Sequence, residues 1–350
     1  MNLFSIMLSR FMLKKPVNLR ISRLFYCLLF SVATLLTDSV ALAAQRPTPF
    51  LTRNQSPFSL IYGLPPASAA QLLPEGQSRW VSSFNISNTL NSQTGANDEL
   101  FIDIETTQLN LIYDYSFKDS WMLRFQLPFI QHSGGVLDSA IDGYHQAFGF
   151  PEGLRPGFPQ DQINVNYSRN NIEQININSQ QQSIGDVSIQ LAWQADNTLN
   201  SATSYWLSLK LPSGDASKLT GSGGTDISAW LSSDYRLNET RWLYGQAGLL
   251  YMSDSDVLRA IQKNWAVFAN AGIKFEPWQG IQLKAQLDMH SAFYDSNIEF
   301  LGDVIQLTFG GSYIINRRHQ IDFAIVEDIQ TEASPDVNFN ISWWIGFGVF

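Results

Sequence analysis

Few residues in this chain have the chemistry for covalent catalysis. Four histidines occur: His132, His145, His290 and His319. Only His290 has a nucleophile and an acid close by, since Ser291 follows it and Asp288 precedes it by two positions. A Ser-His-acid set at a membrane rim could hydrolyse a lipid ester, the imidazole taking the hydroxyl proton. Yet adjacent residues of a strand point to opposite faces. His290 shares a face with Asp288, and Ser291 turns away. A histidine inside a polar network is the simpler account of His290, which stays the one catalytic candidate. His132 and His145 read as loop residues and His319 as a turn residue. No H-x-x-x-H pair or carboxylate cluster has metal-ligand spacing, and no cofactor is expected.

A second group of residues could act on a solute through charge. Asp103, Glu105, Asp114, Asp226, Asp234, Asp288 and Asp322, with Arg124, Lys210, Lys274 and Lys284, fall on the polar sides of alternating segments. Such charges cannot face lipid, where a Lys or Arg at midplane costs about 2–4 kcal/mol. They must face an enclosed interior. The candidate lumen lining is Asp103, Glu105, Arg124, Lys210, Asp226, Lys274, Lys284, Asp288, His290 and Asp322. It reads either as a salt-bridged filling or as the selectivity lining of a solute path.

These charges demand strands with two unlike faces, and the sequence supplies them. Ile281, Leu283, Ala285, Leu287 and Met289 alternate with Gln282, Lys284, Gln286, Asp288 and His290. Trp121, Leu123, Phe125, Leu127 and Phe129 alternate with Met122, Arg124 and Gln126. This period of two is the strand signature. Twelve strands are expected: 79–90, 100–115, 121–130, 184–195, 203–212, 225–236, 241–252, 264–276, 279–290, 303–316, 319–328 and 336–350. The second changes parity between Ile104 and Leu109, which predicts a bulge near Thr106.

Links between these strands alternate short and long. Those at 116–120, 196–202, 237–240, 277–278 and 317–318 are short; those at 91–99, 131–183, 213–224, 253–263, 291–302 and 329–335 are longer. Short periplasmic turns and long outer loops characterise a transmembrane β-barrel. Aromatics flank the short turns (Tyr113, Tyr115, Trp121, Trp193, Tyr205, Tyr235, Trp242, Phe275, Trp278, Tyr313), as an interfacial girdle requires. The fold class expected is all-β: an antiparallel transmembrane β-barrel of about twelve strands.

The ends carry further signals. Arg10, Lys14, Lys15, Arg20 and Arg23 precede the apolar run LFYCLLFSVATLL, and Ala41-Leu42-Ala43 follows. That order reads as a secretory signal peptide, cleaved after Ala43. The run has 13 residues, short of the ~20 that a helical anchor needs. The single Cys27 lies within it, with no lipoprotein motif before it, so the mature chain has no thiol for disulfides or metals. Removing the leader takes away five of 22 basic and one of 31 acidic residues, so the net charge moves from −9 to −13. An acidic chain without clustered cations is not a nucleic-acid binder. The final strand, ISWWIGFGVF, ends at Phe350. A terminal aromatic on an alternating strand resembles the signal read by the outer-membrane barrel assembly machinery. Phe350 lies on the opposite face from Phe347, which a late bulge or a twist at Gly346 or Gly348 would reconcile.

Residues 44–78 hold six prolines and no sustained alternation. Phe50, Phe58, Leu60, Ile61 and Tyr62 are too apolar for a solvated tail. The segment is expected to fold into the lumen as a plug, with Arg53, Asn54, Gln55, Phe58 and Tyr62 as its contact residues. The 53-residue stretch 131–183 is long enough to be functional rather than incidental, and INVNYSR with IEQININSQ suggests a hairpin above the membrane. The organisation expected is a signal peptide over 1–43, a plug over 44–78 and an outer-membrane barrel over 79–350, with 131–183 as one long extracellular loop.

TRNQSPFSLIYGLP at 52–65 and GYHQAFGFPEGLRPG at 143–157 resemble an uncharacterised Gram-negative outer-membrane family classed as a domain of unknown function. More loosely, IGDVSIQLAW at 184–193, LSLKLPSGD at 207–215 and GSGGTDIS at 221–228 resemble the meta-pathway phenol-degradation outer-membrane family. The resemblances imply a barrel in the bacterial outer membrane, contacting its lipid and admitting a small hydrophobic solute. They bring no catalytic residues. The expected function is a narrow or plugged, porin-like channel for passive uptake. The alternatives are a lipid-modifying enzyme with His290 as its base, and a structural or adhesive barrel acting through 131–183.

Overall fold

In the computed structural model, the described residues are 46–137, 143, 159–329 and 333–347. The expected leader, His145 and Phe350 lie outside them. The alternating segments form strands β1 (Ser78–Thr94), β2 (Asp98–Lys118), β3 (Trp121–Ser133), β4 (Asn164–Arg169), β5 (Ile172–Ile177), β6 (Gln181–Ile184), β7 (Ser188–Asn197) and β8 (Ser201–Lys210). They continue as β9 (Asp226–Arg236), β10 (Arg241–Met252), β11 (Trp265–Trp278), β12 (Ile281–His290), β13 (Val304–Ile314), β14 (His319–Asp328) and β15 (Val337–Phe347). One short helix, α1 (Pro57–Leu60), precedes them.

Twelve of these strands close into an antiparallel barrel. The order is β1, β2, β3, then β7 through β15, and β15 returns to β1. The closing register is unbroken from Ser78↔Phe347 to Asn88↔Val337. No bulge therefore occurs in β15 up to Phe347, and the residues beyond it lie outside the described ones. Closure leaves no unpaired edge in the wall, which lipid would not tolerate.

The remaining three strands extend the wall beyond the long-loop end. β4 pairs with the far part of β2, β5 with β4, and β6 with the end of β3. The β4–β5 hairpin turns on Asn170 and Asn171, both at positive φ, where asparagine is among the residues best suited to a two-residue primed turn. Between β1 and β2 the long loop expected at 91–99 is only residues 95–97, because both strands continue outward as a hairpin. His132, expected in a loop, is an inward residue of β3. It is buried, with Nδ1 2.9 Å from the Thr106 hydroxyl and Nε2 3.1 Å from the Leu219 carbonyl.

The bulge expected near Thr106 is absent: β2 pairs with both neighbours in constant register through that point. What switches is the chemistry of the two faces. Leu109, Leu111 and Tyr113 face out, while Leu100, Ile102 and Ile104 face in and are buried. Lipid requires apolar side chains outside. Beyond the lipid that demand ends, and the apolar side turns to the protein's own core.

On β11 the outward residues run from Trp265, which is 62% exposed, to Phe275. Those ten steps at ~3.4 Å, tilted by about 40°, span roughly 26 Å along the membrane normal. That is about the height of an outer-membrane apolar band. Trp80, Tyr115, Trp193, Tyr205, Tyr235, Trp278 and Tyr313 are exposed near the short turns. Trp242 departs from this girdle. It points inward and is buried beneath Arg46, whose guanidinium lies 5.1 Å from the ring centroid.

Candidate functional site

Alternation places the polar face of each strand in the barrel interior. Arg124, Lys210, Asp226, Lys274, Lys284, His290 and Asp322 are inward and buried, and Asp288 is inward and half-buried. Asp103 and Glu105 are not part of this lining. They share β2's outward face with Leu109, and the Glu105 carboxylate accepts the Val136 and Leu137 amides at 3.0 Å each. Their expected place in the lumen depended on the bulge that does not form.

Most of the interior charges are paired. Asp114 accepts from Arg79 at 2.6 Å and from Arg124 at 2.6 Å. Each guanidinium also lies over an inward indole, Arg79 on Trp344 at 4.9 Å and Arg124 on Trp206 at 4.8 Å. Lys210 joins Asp186 at 2.6 Å and Asp226 at 3.0 Å, Lys274 joins Glu276 at 2.7 Å, and Lys284 joins Asp322 at 3.2 Å. Pairing meets the cost of burying each ion, and removing one partner would leave the other uncompensated.

His290 and Ser291 go separate ways. His290 Nε2 lies 3.1 Å from Asn54 Nδ2, while the Ser291 hydroxyl accepts the Val267 amide at 3.0 Å. Asp288 accepts from Thr52, Thr308 and Gln286 rather than from the imidazole. No catalytic triad assembles here.

Residues 46–73 occupy the interior in two limbs. The first runs beside β12 in matched steps. Lys284 Nζ donates to the Thr48 carbonyl at 2.8 Å, Gln286 meets Phe50, Asp288 accepts from Thr52 at 2.9 Å, and His290 meets Asn54. The same sequence separation recurs at each step, so both segments are extended and rise together. At the base Arg46 binds Asp234 at 2.5 Å. At the top α1 turns the chain, and Arg53 donates to the carbonyls of Leu60, Tyr62 and Leu64. Burial pushes the Arg53 guanidinium down to about 10, partly countered by Asp186. Burial also pushes the Tyr62 phenol up to about 12 and raises that of Tyr294 well above its ordinary value.

The second limb descends along β9, β10 and β7. Gly63 donates to Asp226 at 2.8 Å, and a side chain there would meet the Asp226 Cβ at 3.0 Å. Three glutamine side chains hold main chain of the segment by donor and acceptor together. Gln286 does so at Phe50, Gln246 at Pro66 and Ser68, and Gln194 at Ala70 and Leu72. Sequence reasoning missed all three. Their signal was only a glutamine on the inward side of three strands. Of the expected contact residues, Arg53 and Gln55 bond within the segment, Asn54 reaches His290, and Phe58 and Tyr62 pack on Tyr294.

The wall of β15, β1 and β2 differs from the rest. Above the Arg79–Asp114 pair and the apolar rung of Val81, Ile112 and Trp344, its inward residues form rungs of hydroxyls and amides: Ser342, Ser83 and Asn110; Asn340, Asn85 and Gln108; Asn338, Ser87 and Thr106. None of these polar rungs carries a charge. At the long-loop end the interior becomes apolar, with Leu100, Ile102, Phe268, Phe293 and Phe300 packed around Phe58 and Tyr62. A narrow cleft of about 20 Å³ lies between Leu60, Tyr62, Gly63, Leu64 and Pro65 on one side and Gln126, Pro128 and Ile130 on the other.

The architecture is similar to that of solved outer-membrane channels. The COG4313 outer membrane channel from Pseudomonas putida F1 superposes with a TM-score of 0.53 at 15% identity, covering 79% of this chain and 98% of that one. The P. putida toluene transporter TodX covers 79% and 92% at 12% identity and a TM-score of 0.39. The NanC porin covers 78% and 100% at 6% identity and a TM-score of 0.43. No curated protein matches the sequence. The likeness to the COG4313 channel shows the fold of an outer-membrane β-barrel. Residues 24–347 match the family described as protein of unknown function DUF3187, and the chain belongs to that family.

Proposed function

We propose that the protein is a plugged outer-membrane channel for passive uptake of a small, hydrophobic solute, with residues 46–73 as its plug. The observation that carries this reading is the attachment of residues 46–73. They fill the interior but contribute no strand to the wall, and side chains hold them. Such contacts can be exchanged without breaking the barrel. The apolar lining at the long-loop end supports a hydrophobic solute, since desolvation favours its entry there. In this reading the short turns face the periplasm, the signal peptide is removed after Ala43, and the assembly machinery engages the strand ending at Phe350.

The test is flux through liposomes carrying the purified barrel, with and without residues 46–73. Deletion should leave a barrel that migrates faster unboiled than boiled and should raise conductance at least tenfold. A correctly folded barrel that passes neither ions nor solute, with the segment or without it, would end the channel reading.

A further inference from the structure

We propose that solute passes between the Leu51 side of the plug and the wall of β15, β1 and β2, and that this route takes uncharged, hydrogen-bonding solutes. This rests on the channel reading but departs from it on the solute: the apolar lining belongs to the long-loop end, and the route below it is polar. Its first ground is the asymmetry of plug attachment. Residues 46–73 hydrogen-bond to side chains of β7, β8, β9, β10, β12 and β14. Among the described residues, none of them hydrogen-bonds to an inward side chain of β15, β1 or β2. Leu51 meets that wall through apolar contact with Val81, Ile112 and Trp344. A seam held by dispersion alone parts before one held by ion pairs and paired amides.

The second ground is unmet hydrogen-bonding capacity in that wall. Asn85 Nδ2, Gln108 Nε2 and Asn338 Oδ1 are buried without a partner, although other atoms of the wall bond one another, as Asn340 does to Ser83 at 2.9 Å and to Asn85 at 3.0 Å. On the plug side, Gln55 Oε1 and the Ser56 hydroxyl are also unpartnered. Unpartnered buried atoms occur on the bonded side as well, such as Gln190 Oε1, Trp242 Nε1 and the Tyr244 hydroxyl, but there they stand among ion pairs, whereas these rungs offer neutral donors and acceptors alone. A solute with hydroxyl or amide groups would satisfy donors and acceptors alike. An ion would find no counter-charge on these rungs and would lose its hydration.

The experiment uses the full chain with Cys27→Ser, reconstituted in liposomes, and compares Ser83→Cys on the seam with Ala192→Cys on the bonded side, an inward, buried residue of β7 outside the plug's hydrogen bonds. Both variants are checked first for heat-modifiable migration. Benzyl methanethiosulfonate, a neutral thiol reagent, should label Ser83→Cys and cut arabinose flux at least tenfold, with reversal by reductant. Ala192→Cys should stay unlabelled and conducting. Arabinose should enter at least tenfold faster than gluconate in the unmodified protein. Labelling and block at Ala192→Cys but not at Ser83→Cys, or at both or neither, would overturn the route. Equal flux of sugar and anion would overturn the solute class. If unmodified protein passes neither, the route falls; if the barrel lacking residues 46–73 also passes neither, the channel reading falls with it.

Discussion

Gln286 holds the main chain of Phe50 from both sides: its Oε1 accepts the Phe50 amide at 3.1 Å, and its Nε2 donates to the Phe50 carbonyl at 3.3 Å. One side chain thus supplies what a neighbouring strand would supply to a ladder. This contact lies midway up the first limb, between Lys284 at Thr48 and Asp288 at Thr52.

Gln286→Leu should therefore loosen the plug. The variant leaves a buried donor and acceptor unmet, at about 1–3 kcal/mol each, and about 1.4 kcal/mol shifts an equilibrium tenfold. Single-channel recording should show openings at least ten times as frequent, with unchanged barrel migration. Unchanged gating would mean that Gln286 is incidental to plug retention.

Asp114→Ala removes the carboxylate that neutralises both Arg79 and Arg124. Breaking a buried pair in this way costs about 3–5 kcal/mol. Urea unfolding of the refolded barrel in detergent should shift by that amount. Asp114→Asn should give a smaller loss, because the amide still accepts hydrogen bonds.

The lipid band can be located by charge. Ala271→Arg, on the outward face of β11 between Trp265 and Phe275, should cost about 2–4 kcal/mol. Ile172→Lys should cost almost nothing, although Ile172 is apolar and 66% exposed, because β5 lies beyond the lipid. Equal costs measured by folding into vesicles would contradict the band drawn here.

Alkali should weaken the plug. Burial raises the Tyr62 phenol from 10.0 to about 12, so the folded state keeps a proton that the released segment loses. Stability is present in full below pH 10 and declines as the pH rises towards 12. The loss approaches about 3 kcal/mol. Absorbance at the tyrosinate band should show a late-titrating phenol that Tyr62→Phe removes.

Much of the wall was legible in the sequence. The run from Ile281 to His290 states its own two faces, and the short links expected at 277–278 and 116–120 show which strands form hairpins, although the turns themselves fall at Gln279-Gly280 and Asp119-Ser120. Lys284, Arg124 and Asp322 could be placed inward because hydrocarbon excludes charge. Asp103 and Glu105 misled for the same reason: they lie beyond the hydrocarbon, where that rule does not apply. Trp242 misled because a tryptophan near a turn serves equally at a lipid interface or under a cation such as Arg46.

The sequence by itself determined the number of barrel strands and which ends carry the short turns, because side-chain alternation and turn chemistry are local. Only the tertiary structure decided where residues 46–73 lie and which side chains hold them. Pairings such as Gln286 with Phe50 and Gln246 with Ser68 join positions far apart in the chain. Nothing local distinguishes a glutamine that meets the plug from one that meets its neighbour on the wall, since both need only the inward face of a strand.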